Sequence, residues 1–361
     1  MGFQDIEIEK FRGIRTLNIA DFKQVNLIAG CNNSGKSSIL EAIFMLTGLA
    51  NPDLSIRVNN FRDYSVRDSE DLSLIFYNLE TSNPIIFKGT LELNEEKRKL
   101  AITPIFSNSI NVNKVENVEN ELSQLSSFNI PKNSMTGLNL DFSLKEKEKP
   151  AINNTSKLII EGERTFKAVR ANNYNEKARA IYINSKPVFN SVVERVDRII
   201  TNKQDEEIVD VLKNIEPKIT KISVSANKIV KVDIGLASLI PINVMGDGIK
   251  KLLTILTAIY DVKGGILLID EIDNGLHYST MKALWKAIII AARKFEVQIF
   301  ATTHNIETLK YLKELIKEEI QDFSNNVRHY TLMKLISGEM KSYKYDFERF
   351  EYALEQGIEI R

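Results

Sequence analysis

Gly30-Cys31-Asn32-Asn33-Ser34-Gly35-Lys36-Ser37 matches G-x-x-x-x-G-K-S, and its surroundings supply the context that this pattern needs. The apolar run at 25–29 suits a buried strand, and 36–46 places Ile39, Leu40, Ile43, Phe44 and Leu46 at helical spacing. Strand, loop and helix in succession make a phosphate cradle. The glycines let backbone N–H groups converge on phosphate oxygens at a helix N-terminus, where the partial positive charge favours an anion. Lys36 is expected to place a point charge on the β- and γ-phosphates of ATP, and the Ser37 hydroxyl to ligate Mg²⁺. Gly30, Asn32, Asn33, Ser34, Gly35, Lys36, Ser37 and Ser38 form the expected ATP-binding set, with Cys31 in a variable position.

Further along, Gly265-Ile266-Leu267-Leu268-Ile269-Asp270-Glu271 is an apolar strand ending in two carboxylates. At the C-terminal edge of a parallel sheet such side chains meet whatever the neighbouring loops hold. Asp270 is expected to hold Mg²⁺ with Ser37, and Glu271 to polarise the attacking water as general base. Gly246-Asp247-Gly248 precedes an apolar helix at 252–259 and opens a second anion-accepting N-terminus just ahead of the acidic strand. Gln298-Ile299-Phe300-Ala301-Thr302-Thr303-His304-Asn305 ends another apolar strand in small polar residues and a histidine. His304 thereby falls on the same edge as Glu271, within reach of a γ-phosphate or the attacking water. Lys36, Glu271 and His304 are the expected catalytic residues.

Between Lys36 and Asp270 lies far more chain than a compact GTPase-like domain requires. Runs at 6–8 and 16–19 suit strands, and 84–186 looks mostly β, with apolar runs at 85–93, 100–105, 138–144, 158–160 and 179–183. Within it, 107–134 holds seven Asn and six Ser, too polar to fold by itself, and is expected to be a surface loop. Helices are expected at 188–200 and 206–215, and short strands at 222–224 and 229–234. The last third alternates helix and strand, the pattern of a parallel sheet flanked by helices. The expected division is one head over 1–361. It runs as an N-terminal lobe (1–106), a polar loop (107–135), a β-rich continuation (136–186), a short helical arm (187–245) and a C-terminal lobe (246–361).

The chain has 361 residues, 48 Lys+Arg against 48 Asp+Glu, one Cys and three His. Zero net charge removes the argument for gripping nucleic acid by bulk positive charge, leaving only local patches such as Lys218, Lys221, Lys228 and Lys231. A single cysteine excludes a disulfide framework and a Cys-built metal site. No apolar run approaches the ~18–20 residues of a membrane span, and the mixed, acidic MGFQDIEIEKFRG start is not a signal peptide, which points to the cytoplasm. The mixed-sign runs 95–99 and 145–149 are expected to be solvated, and Trp285, with Leu284 and Ile288, to be core or interface.

The four elements in this order resemble the ATP-binding-cassette ATPases of the SMC/RecF and overcoming-lysogenization-defect (OLD) group. Phe11-Arg12-Gly13-Ile14, the loop 30–38, Met-Gly-Asp-Gly at 245–248, Ile269-Asp270-Glu271-Ile272-Asp273-Asn274-Gly275-Leu276-His277 and the ending Gly357-Ile358-Glu359-Ile360-Arg361 carry the likeness. It is nearest to the OLD-like AAA ATPases of bacterial anti-phage operons of the PARIS, Septu and Gabija types. The resemblance implies an α/β cassette-type head with a parallel core sheet, an antiparallel β subdomain and a helical lobe. It implies ATP hydrolysis with Mg²⁺, Arg12 among the ATP-contacting residues, and a dimer or higher homo-oligomer. In that dimer the turn Gly246, Asp247, Gly248 of one copy reaches the nucleotide of the other. The stretch after His304 looks like sheet edge and last helix, not a Toprim nuclease, so the implied effector, such as a Toprim-type nuclease, is separately encoded. A RecF-like DNA-repair head acting on DNA and an ATP-stapled scaffold with little turnover are the competing readings; a membrane partner is not implied.

Overall fold

A computed structural model of the chain describes residues 2–107, 134–185, 190–213, 216–276, 278–335 and 337–360. Most of the polar stretch expected to be a surface loop, the first residues of the expected helical arm, and His277 lie outside them. Strands β1 (Phe3–Phe11) and β2 (Ile14–Ala20) form a hairpin, and β3 (Val25–Gly30) leads through the phosphate loop into the helix Lys36–Thr47. Strands β4 (Ile85–Leu91), β5 (Glu96–Phe106), β6 (Met135–Lys145), β7 (Ile152–Gly162) and β8 (Thr165–Val169) then build on that hairpin. The result is a seven-stranded sheet in the order β2-β1-β4-β5-β6-β7-β8. Every pairing in it is antiparallel.

After β9 (Ala180–Ile183) come the helices Asn190–Thr201 and Asp205–Leu212, then the small sheet of β10 (Lys221–Val224), β11 (Val230–Asp233) and β12 (Ile240–Pro241). The helix Asp247–Asp261, β13 (Ile266–Ile269), the helix Tyr278–Phe295, β14 (Gln298–Thr303), the helix Ile306–Glu319, β15 (Val327–Lys334), β16 (Met340–Tyr345) and the helix Phe347–Glu355 complete the chain. A six-stranded sheet in the order β16-β15-β3-β14-β13-β9 gathers both ends of the sequence. Its five strands from β15 to β9 run parallel and only β16 is antiparallel.

Both faces of its central strands are covered, which is why β3, β13 and β14 are buried at every residue and read as near-continuous apolar runs. Val25, Leu27, Ala29, Leu267, Ile269, Ile299 and Ala301 pack into one core with the helices that follow residue 247. Ile28, Ile266, Leu268, Phe300 and Tyr330 pack into a second core, shared with the helix Lys36–Thr47 and the antiparallel sheet. Trp285 belongs to the first core, fully buried, with its indole N–H donating to the Thr308 carbonyl at 3.2 Å.

The run 95–99 departs from the solvated face expected of it. Strand alternation turns Lys97 and Lys99 outward but buries Glu96 and Arg98, with Glu95 exposed in the turn before the strand. The Arg98 guanidinium donates to Glu96 and Glu176 at 2.6 and 2.7 Å and to the carbonyls of Leu46 and Thr47. A cation there satisfies the last carbonyls of the helix that starts at the phosphate loop. Glu146 in 145–149 is likewise buried, beside Lys149 and Lys177. None of the described helices is long and apolar enough to cross a membrane.

Candidate functional site

The site is assembled by register. Strand β14 lies between β3 and β13, with Ala29 opposite Thr303 and Ile269 opposite Ala301. Gly30, His304 and Asp270 therefore leave three adjacent parallel strands at one edge, about 4.8 Å apart from strand to strand. The three sequence motifs that end strands are thus brought together.

In the phosphate loop, Cys31, Asn32 and Asn33 are exposed while Ser34, Lys36 and Ser38 are buried. Asn33 has φ 63° and Gly35 φ 84°, both left-handed, so the loop doubles back before the helix. A Cβ on Gly35 would sit 2.6 Å from the Met340 methyl carbon, the end of a flexible side chain that can give way, so the demand for glycine there is one of conformation. The Ser34 hydroxyl is buried and has no hydrogen-bond partner among the described residues. An orphaned donor inside an amide-lined turn fits an anionic guest with acceptor oxygens. Lys36 Nζ rests on the carbonyls of Gly30 and Cys31 at 2.8 and 2.9 Å. Burial lowers the Lys36 pKa below the ordinary lysine value, against the opposing pull of Asp270, Glu271 and Asp273 across the edge.

The acidic end of β13 is held from several sides. Thr302 Oγ1 donates to Asp270 Oδ1 at 2.6 Å and accepts the Glu271 N–H at 2.8 Å. The Tyr182 hydroxyl donates to Asp270 Oδ2 at 3.3 Å, its own pKa pushed well up by burial and by that carboxylate. Thr303 Oγ1 holds Asp273 at 2.6 Å. Glu271 itself adopts a left-handed backbone, φ 49°. Its carboxylate accepts no hydrogen bond from the described residues. One carboxylate fixed beside the phosphate loop and a second left free suits the division expected for Asp270 and Glu271, a metal ligand with Ser37 and a base. His304 stands exposed at the end of β14.

Arg12 is placed differently from the ATP contact implied for it. Its guanidinium is almost buried and spends all three nitrogens on protein: Glu41 at 2.5 Å, Asn59 Oδ1 at 2.9 Å, and the carbonyls of Val58 and Leu74. Glu41 lies on the helix that follows the phosphate loop and also pairs with Arg62, whose second nitrogen reaches the Ser38 hydroxyl at 3.0 Å. Arg12 thus braces the helix behind the loop. The turn Gly246, Asp247, Gly248 lies beside Asn274 and Gly275, bordering a cleft of about 520 Å³, with Asp247 paired to Lys250 at 2.5 Å. Gly246, at φ 90° and ψ 162°, takes a positive-φ extended conformation open to glycine where the helix starts.

Five contributors were not singled out from sequence. Thr302 and Thr303 stood there only as context for His304. Tyr182 and Arg62 had no motif to mark them. Lys251 had a signal: it is a cation on the helix face that it shares with Ile255 and Ala258, and it is buried there.

A family described as "AAA domain, putative AbiEii toxin, Type IV TA system" matches residues 25–310. An "ATP/GTP phosphatase" from Helicobacter pylori is 30% identical over 347 residues, 91% of this chain and 92% of that protein. A DNA replication and repair protein RecF from Shewanella denitrificans is 50% identical over 46 residues, 13% of each chain. Among solved structures, an SMC head bound to the C-terminal winged-helix domain of ScpA is similar in fold. It has TM-score 0.51 and 13% identity, and the match covers 98% of this chain and 100% of that one.

Proposed function

The chain belongs to the AAA-type ATPase family of AbiEii-like proteins, and on that premise we propose that it hydrolyses ATP to ADP and phosphate as a two-copy switch. The observation that carries this reading is the convergence of loop 30–37, Asp270, Glu271 and His304 on one edge of the parallel sheet. The amides of the loop, the Ser34 hydroxyl and Lys36 take the phosphates, and Ser37 and Asp270 are the ligands for Mg²⁺. When bound, the ion supplies charge neutralisation on the phosphate oxygens. Glu271 accepts the proton of the water that attacks the γ-phosphorus, and the bond to the β-γ bridging oxygen breaks as ADP leaves. His304 senses the γ-phosphate. Gly246, Asp247 and Gly248 complete the site of a second copy, so that closing and opening of the pair is the output.

As part of the same reading the switch acts in anti-phage defence and governs a separately encoded effector such as a nuclease; the matched family's own description is of a "putative AbiEii toxin, Type IV TA system". The RecF match over 46 residues favours a second reading, a head that works on DNA. Turnover and mass in solution test the proposal together. Glu271→Gln is expected to lower kcat by about 10²- to 10⁴-fold while retaining ATP-dependent self-association, and Lys36→Ala to lose nucleotide binding. Unchanged nucleotide affinity in Lys36→Ala ends the site assignment. Stimulation of turnover by DNA moves the balance to the second reading.

A further inference from the structure

The helix Asp247–Asp261 starts at the Gly246 turn and carries Lys251 inward after its first turn, on the face it shares with Ile255 and Ala258. Only 6% of Lys251 is exposed, and its ammonium donates to no carboxylate among the described residues. It reaches instead two backbone carbonyls of the acidic loop, Glu271 at 3.0 Å and Asn274 at 3.4 Å. Burying an ammonium is costly, and burial does push the Lys251 pKa down; the charges of Asp273, Glu271 and Asp270 offset part of that cost.

The carbonyl it holds belongs to a residue under backbone constraint. Glu271 sits at φ 49°, a region that is unfavourable for a non-glycine residue and persists only where surroundings enforce it. The surroundings are visible on both sides of the residue. Thr302 Oγ1 takes the N–H at 2.8 Å and Lys251 takes the C=O at 3.0 Å. Two polar anchors therefore fix the peptide groups on either side of the Glu271 Cα and set the direction of its free side chain. One anchor comes from the neighbouring strand. The other comes from the helix whose first residues form the Gly-Asp-Gly turn.

We infer that Lys251 is a positioning residue for Glu271, tying the backbone of the general base to the helix that the turn 246–248 opens. The inference rests on the hydrolase reading for its kinetic consequence, but not for the tether itself. Because a helix turn is stiff, a displacement of the turn is passed to the Glu271 carbonyl through one side chain. Misplacing a catalytic group by about 1 Å can cost on the order of 10²-fold in rate.

The test compares Lys251→Met, which keeps length and burial but has no donor, with Lys251→Arg, which restores donors and charge. Steady-state kcat, the Kd for ATP, and hydrogen exchange of the segment 269–276 are measured on the full chain. Lys251→Met is expected to lower kcat by about 10- to 100-fold with the Kd for ATP unchanged, and to speed exchange at 271–274, with Lys251→Arg recovering part of both. Wild-type kcat and exchange in Lys251→Met overturn the inference. So does a fall in kcat matched by an equal loss of ATP affinity with exchange unaltered. If the wild-type chain turns over no nucleotide, the hydrolase reading falls, while exchange at 271–274 still decides the tether. Should Lys251→Met not fold, Lys251→Gln is read by the same two criteria.

Discussion

Two loops meet at the rim of the parallel sheet, and they are built on opposite plans. The phosphate loop keeps its polar atoms uncommitted: Asn32 and Asn33 face solvent, the Ser34 hydroxyl has no partner among the described residues, and Lys36 rests on its own loop's carbonyls. The acidic loop commits nearly everything except one carboxylate. Asp270, Asp273 and both backbone groups of Glu271 are held by Tyr182, Thr302, Thr303 and Lys251. A loop that must wrap a guest keeps donors in reserve, whereas a loop that must aim one oxygen fixes all the others. The difference lies at the front only. Behind the phosphate loop, Glu41 is fully buried between the nearly buried Arg12 and the more exposed Arg62.

That contrast can be attacked from its strongest point downward. Glu41→Ala removes the anion from a support in which the Arg12 guanidinium is nearly buried, and stranding that cation is expected to cost about 3–5 kcal/mol. Urea denaturation measures it; a loss below about 1 kcal/mol means that the rear support is ornamental. Thr302→Val keeps the shape of the side chain and removes both of its hydrogen bonds, to Asp270 and from Glu271. The expected result is a kcat about 10- to 100-fold lower with the Kd for ATP little changed. An equal loss in affinity erases the division of labour between the two loops.

The smallest effect concerns the floor under the phosphate side. His329 on β15 lies opposite Leu27 of β3, fully buried, its Nε2 against the Ile360 carbonyl at 3.0 Å. Burial lowers its pKa from 6.5 to about 4. The unfolded chain therefore takes up a proton that the folded chain refuses, and stability falls as pH drops from 6.5 towards 4. Between pH 7 and 5 the loss is expected to be about 2 kcal/mol, levelling off below pH 4. His329→Leu flattens that part of the stability curve; a slope unchanged from wild type assigns it to other groups.

The fold class was legible because a doubly covered parallel sheet needs continuous apolar strands, and 25–29, 265–269 and 298–301 are such runs. Glycines at fixed spacing and carboxylates at a strand end marked the candidate site for the same reason: each answers to a local backbone demand. What escaped the sequence depends on long-range pairing. Tyr182 meets Asp270 only because β9 is aligned with β13, Arg12 meets Glu41 only after the hairpin folds over the helix, and Glu96 and Arg98 turn inward on a strand whose charges look solvated. Lys251 stands between the two cases. A cation on an apolar helical face is a visible anomaly, but its partners are backbone carbonyls, which no residue pattern announces.

The placement of β3 between β14 and β15 has a consequence for biosynthesis. Strand β3 emerges from the ribosome near the start of translation, yet both of its sheet neighbours come from the last quarter of the chain. Its edges stay unpaired for most of synthesis, and the loop–helix unit has no floor until β15 arrives. Closure of such distant pairings is slow and leaves sticky strands open meanwhile. A product truncated before β15 leaves one edge of β3, and so one side of the phosphate loop's support, without its sheet partner.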